Sequence, residues 1–107
     1  MDMPQVVNMY FDADTRNDAD GLLQTLDVDA VVEDENARYQ GTAAIRQWWM
    51  AAKRSAQYVA EPVETTVDGD KVLVRARVRG KFPGSPVMLI HAFTIKDDRI
   101  VRLEIRS

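Results

Sequence analysis

The sequence predicts an α+β domain in which three N-terminal helices pack on a curved C-terminal antiparallel sheet and close a pocket between the two layers. Three observations predict it. The spacing of apolar residues follows a helical period before Tyr58 and a period of two after it. From Lys71 to Lys81, Val72, Val74, Ala76 and Val78 alternate with Leu73, Arg75, Arg77 and Arg79, the pattern of a sheet buried on one face only. Helices come first and strands second, without the alternation that would build a parallel sheet.

Taken in order, Val6, Val7, Tyr10 and Phe11 form the apolar stripe of a helix from Pro4 to about Arg16, with proline in its first turn. Asn17 and Asp18 offer an N-cap to a short second helix whose Leu22, Leu23 and Leu26 share a face. Ala30, Val31 and Val32 form a short strand that ends in Glu33 and Asp34, and Glu35 to Gln40 reads as irregular. Gly41 and Thr42 open a third helix, where Ile45, Trp48, Trp49 and Ala52 fall on one stripe. Val59 to Val67 and Lys71 to Lys81 make a hairpin around Asp68-Gly69-Asp70. After a break at Phe82 to Pro86, Val87 to Lys96 and Ile100 to Arg106 make a second hairpin, whose last strand alternates Val101, Leu103 and Ile105 with Arg102, Glu104 and Arg106. The arginines and glutamates then share the open face, where an ion pair such as Glu64 with Arg77 is expected.

Composition bounds the function. A chain of 107 residues has room for one core, so residues 1–107 read as one domain. An apolar fraction of 46% with 29% charged residues belongs to a folded, water-soluble protein. A net charge of -3 gives no basic footprint for nucleic acid or an anionic membrane. The N-terminus has no signal-peptide pattern and no apolar run approaches a membrane span, which makes the cytoplasm the expected location. With one histidine and no cysteine, neither a disulfide nor a metal site is expected.

Three polar residues stand on stripes that should face inward: Tyr10 on the first helix, Asp34 on the face of Val32, and His91 on the face of Leu89, Phe93 and Ile95. Each has a structural reading beside the functional one. Tyr10 suits a core aromatic or a ligand contact, Asp34 a turn cap or a base, and His91 a core histidine or a hydrogen-bond donor. Trp48 and Trp49 point about 100° apart, so one of them is a candidate to line the cavity, beside the structural reading in which both fill core between the third helix and the sheet. Tyr39, Tyr58, Phe82, Met88 and Met50 are further candidates for the mouth, with Gly80 to Pro86 as its rim. The aromatic side chains should leave a small, dry volume. No inward cation is visible to clamp an anion, which favours a neutral ligand.

The stretches YFDADTRNDADGLLQTLDVDAVVEDENARYQGTAAIRQWW and HAFTIKDDRIVRLEI resemble the nuclear-transport-factor-2-like superfamily and, within it, the SnoaL-like group. The acid-ended first strand, the Gly-Thr-x-x-Ile helix start and the final Asp-x-Arg-Ile hairpin carry that resemblance over almost the whole chain. It implies a cystatin-like cone and a homodimer formed through the open sheet face of Arg75, Arg77, Arg79, Arg102 and Glu104. Relatives of this kind include ketosteroid isomerases, polyketide cyclases, dehydratases, epoxide hydrolases and proteins of no known activity. By similarity to the isomerases, Tyr10 takes the oxyanion-tyrosine position and Asp34 that of the general base. His91 stands where the isomerases carry a protonated aspartic acid, and an imidazole can donate there as well, or pair with Asp34 to activate a water. Trp48, Trp49, Phe11, Tyr39 and Phe93 would contact the substrate. The resemblance thus implies a cofactor-independent isomerase, cyclase or lyase acting on a small apolar molecule. A carrier or sensor of small ligands and a dimeric interaction module remain the alternative classes.

Overall fold

The structure, a computed structural model, describes residues 3–107. Three helices, α1 (Gln5–Thr15), α2 (Ala19–Gln24) and α3 (Thr42–Ala56), lie on one face of six strands. The strands are β1 (Leu26–Asp34), β2 (Ala37–Gln40), β3 (Val59–Asp68), β4 (Lys71–Arg79), β5 (Val87–Lys96) and β6 (Arg99–Arg106). They run in the order β2-β1-β6-β5-β4-β3 as one open sheet. Only β1 and β6 pair in parallel; every other neighbouring pair is antiparallel. This is the α+β cystatin fold. Among the described residues no helix is long and apolar enough to cross a membrane.

Local chemistry accounts for the element ends. The Asp18 carboxylate accepts from Gly21 N at 3.0 Å and so caps α2. Gln57, in the left-handed region with φ 46°, ends α3 and turns the chain into β3. Gly80 is a close approach: a Cβ there would meet the Ala56 carbonyl oxygen at 2.6 Å, so a glycine lets the end of β4 pass against the end of α3.

The core lies between the layers. Val72, Val74, Ala76 and Val78 are buried beneath the helices, as their alternation requires. Ile45 of α3 and Leu22 of α2 belong to the same core, each fully buried side chain contributing about 1.5–3 kcal/mol. Phe93 sits in a ring cluster with Tyr10, Phe11 and His91, their centroids 5.3–6.2 Å from it or from one another.

Four details differ from the sequence expectation. The segment read as irregular contains β2, which pairs with β1 from Val31↔Gln40 to Asp34↔Ala37. The first strand begins at Leu26 rather than Ala30, which moves Leu26 from the α2 stripe into the sheet. A bulge between Pro62 and Glu64 shifts the β3 register by one. Glu64 therefore lies opposite Arg75 and pairs with it at 3.8 Å, while Arg77 lies opposite Glu61. A second irregularity, between Thr94 and Ile95, puts Ile100 in the core beside Leu103 and leaves Val101 only half-buried. On the open face Arg102 pairs with Glu33 of β1 and with Glu104.

Candidate functional site

Between helices and sheet lies a cavity of about 500 Å³, within the usual range for a small-molecule site. Its floor is Val78 of β4, Leu89 and His91 of β5 and Ile105 of β6. Tyr10 and Asp14 of α1, Trp48 and Ala52 of α3, and Tyr58 just before β3 form the walls. Asp34, Glu35, Phe82 and Pro83 lie round the mouth, of which Glu35 and Pro83 are exposed. The pocket is thus open rather than closed, and larger than the aromatic content suggests. The aromatic residues explain why: Phe11, Phe93 and Trp49 pack behind the wall instead of filling the space.

Tyr10, Asp34 and His91, far apart in the sequence, line this one cavity. Asp34 is half-buried at the end of β1, where Trp48 Nε1 donates to its Oδ2 at 3.1 Å. Tyr10 is 2% exposed; burial first, and then the carboxylates of Asp14 and Asp34, hold its phenol well above the ordinary range. It is therefore a neutral O–H donor at any physiological pH. Burial lowers the His91 imidazole to about 4, so the ring is neutral near pH 7, with one N–H and one bare nitrogen. Its Nδ1 has no hydrogen-bond partner among the described residues.

The most connected polar group of the site is one that sequence reasoning missed. Asp14, one helical turn beyond Tyr10 and 2% exposed, lines the same cavity as Asp34. Its Oδ1 accepts from Trp49 Nε1 and from the Tyr58 hydroxyl, each at 2.8 Å, and lies 3.4 Å from Lys53 Nζ. The Lys53 ammonium also covers the Tyr58 ring, 3.8 Å from its centroid, and donates to the Tyr58 carbonyl at 3.0 Å. Burial lowers the Lys53 ammonium, and Asp14 offsets part of that effect. Burial, then Tyr10 and Asp14, raises the Tyr58 phenol. The signal for Asp14 is its four-residue spacing from Tyr10, which places the two on one helix face.

Of the side chains expected at the substrate, Trp48 lines the cavity and Trp49 does not: adjacent on α3, they turn to Asp34 and Asp14 respectively. Phe11 and Phe93 support Tyr10 and His91 from behind, and Tyr39 rests against Trp48 with ring centroids 6.0 Å apart. Among the mouth candidates Tyr58 and Phe82 line the cavity, whereas Met50 and Met88 are exposed outside it. Among the described residues no three His, Cys, Asp or Glu side chains converge on a point where a metal ion could sit.

Solved structures share this architecture. A candidate polyketide cyclase from Sinorhizobium meliloti is 67% identical, with TM-score 0.97 over 99% of this chain and 97% of that one. A protein of ketosteroid isomerase-like fold from Catenulispora acidiphila, solved with trimethylamine, is 17% identical with TM-score 0.86 over 99% of this chain and 87% of its own. A cystatin-fold protein from Novosphingobium aromaticivorans is 19% identical with TM-score 0.81 over 100% of this chain and 99% of its own. No protein of curated function matches the sequence. The SnoaL-like domain model matches residues 7–103, nearly the entire helix-and-sheet unit just described, and the chain belongs to the SnoaL-like domain family.

Proposed function

We propose that the chain is a cofactor-independent isomerase, cyclase or lyase that moves a proton on a small, neutral, largely apolar carbonyl compound. The observation that carries this reading is the convergence of Tyr10, Asp34 and His91 on one apolar cavity from α1, β1 and β5. The S. meliloti relative, described as a candidate polyketide cyclase, supports the same class of chemistry. In the proposed step the Asp34 carboxylate takes a proton from the carbon beside the carbonyl. The C–H electron pair moves into an enolate, whose oxygen accepts hydrogen bonds from the Tyr10 O–H and the His91 N–H. The proton returns at another carbon in an isomerisation; in an elimination the enolate expels a hydroxyl group. Trp48 supplies a flat wall and, through its N–H, fixes Asp34.

The test is conversion of a small β,γ-unsaturated ketone such as 3-cyclohexenone to its conjugated isomer, followed by ultraviolet absorbance. Asp34→Asn should lower turnover about 10²–10⁴-fold, the worth of a positioned base, with little change in thermal stability. Equal turnover in the variant removes Asp34 from the mechanism. Binding without any turnover by the unaltered protein assigns the cavity to a carrier.

A further inference from the structure

The cavity has a second polar pair, Asp14 and Tyr58, beside the three groups already described. Asp34 sits at the mouth on β1, whereas Asp14 and Tyr58 stand near the edge strand β3, at the other side of the strand order. The donors nearest Asp14 Oδ1 are already committed to it. Tyr58 has a single O–H, and it points to Asp14 Oδ1; Trp49 Nε1 is directed at the same oxygen, and Lys53 Nζ is nearest to it. The phenol keeps its proton because burial and Asp14 oppose its ionisation. What Asp14 and Tyr58 themselves present to a ligand is therefore acceptors: the lone pairs of the Tyr58 oxygen, and Asp14 Oδ2, which receives no hydrogen bond from the described residues; the hydroxyls of Tyr10 and Ser55 line the same cavity.

Asp14 lines the cavity, and its second carboxylate oxygen accepts no hydrogen bond from the described residues. A donor on a molecule that enters the cavity can reach that oxygen. We propose that Asp14 and Tyr58 form a binding subsite that accepts a hydrogen bond from a hydroxyl group of the ligand. A hydroxyl suits the site better than an ammonium group, because Lys53 already supplies the positive charge opposite Asp14. An anion is rejected, because three carboxylates, those of Asp14, Asp34 and Glu35, and no Lys or Arg line the cavity. The apolar wall of Ala52 and Ala56 beside the subsite holds the carbon skeleton that carries the hydroxyl. The ligand class is thus a neutral cyclic or branched alcohol, oriented with its hydroxyl toward β3 and its remaining polar group toward Asp34.

This inference rests on the cavity binding a small molecule, as proposed above, but not on turnover. The experiment titrates the full chain with three probes of one shape: cyclohexanol, methoxycyclohexane and cyclohexanecarboxylate. Tryptophan fluorescence reports occupancy beside Trp48, and calorimetry gives the affinities. Cyclohexanol should bind at least several-fold more tightly than its methyl ether, and the carboxylate should not bind. In Asp14→Asn, which frees the Tyr58 proton to point at the ligand, the preference for the alcohol over the ether should vanish or reverse. That variant breaks a buried network and can unfold, so orientation is read independently on the unaltered protein. Nuclear Overhauser contacts from the carbinol proton of bound cyclohexanol should reach the methyl groups of Ala52 and Ala56 rather than those of Leu89 and Ile105. Equal affinity for alcohol and ether, or a carbinol proton beside Leu89 and Ile105, overturns the subsite alone. Failure of all three probes to bind overturns the subsite together with the small-molecule cavity.

Discussion

Trp48 and Trp49 are neighbours in the sequence, yet each serves a different carboxylate, and the two carboxylates live in different surroundings. Trp48 donates to Asp34, which is half-buried and takes this single hydrogen bond at the mouth. Trp49 donates to Asp14, which is buried and tied in addition to Tyr58 and Lys53. The first arrangement leaves a carboxylate with spare lone pairs near solvent, suited to exchanging a proton. The second joins α1, α3 and the start of β3 through one oxygen atom, suited to holding three elements together. One helix turn thus serves one carboxylate that is half-buried and one that is tied into a network.

The sharpest way to break this contrast is to delete each carboxylate. Asp14→Ala strands a buried ammonium, an indole N–H and a phenol O–H, and should cost about 3–5 kcal/mol in urea denaturation. Asp34→Ala should cost under about 1 kcal/mol by the same measurement. Equal losses would show that the two ends are built alike.

His91 gives the next largest effect. Its imidazole is lowered to about 4 in the folded chain from 6.5, so between these values the unfolded chain binds a proton that the folded chain refuses. Stability should therefore be unaffected by His91 above pH 6.5 and fall as pH drops through this window. By about pH 4 the loss reaches roughly 3 kcal/mol. His91→Phe should flatten that acid limb in denaturation curves recorded from about pH 4 to about pH 7. An unchanged limb would mean that His91 is already satisfied by a proton in the folded state.

The smallest effect separates the indoles. Trp49→Phe removes a buried hydrogen bond to a charged group and should cost about 1.5–3 kcal/mol, whereas Trp48→Phe should cost about half as much. A reversal of that order would make the mouth, and not the buried hub, the firmer end.

The main layers are legible in the sequence because periodicity reports burial directly. The valines of β4 and the Trp48–Trp49 stripe of α3 can be assigned to the inner face without any knowledge of the partner elements. Features that depend on two distant segments are not visible in this way. Residues 37–40 of β2 are too few and too polar to read as a strand, and become one only because β1 offers an edge. A bulge at Val63 cannot be seen in the alternation of β3 alone, and it changes the partner of Glu64 from Arg77 to Arg75. At the site, Tyr10, Asp34, Trp48 and His91 are found from their inward stripes. Asp14 is not, because an aspartate in the last turn of a helix ordinarily belongs to solvent; only Trp49, Lys53 and Tyr58, brought in by the fold, make it an interior residue.

The parallel pairing of β1 with β6 bears on how the chain folds. Residues 26–34 and 99–106 lie side by side in the middle of the sheet, with β2 on one flank and β5 on the other. The join between them closes a loop that contains β2, α3 and β3 to β5, and such distant contacts raise the contact order and slow the search. The hairpins β3–β4 and β4–β5 can form locally, but the strand carrying Asp34 has no neighbour on its inner side until β6 has been synthesised. A nascent chain halted before residue 99 would join β1 to the hairpins only through the helices, by contacts such as Tyr58 with Asp14 and Tyr10 with Phe93, and would lack Ile105 from the cavity floor.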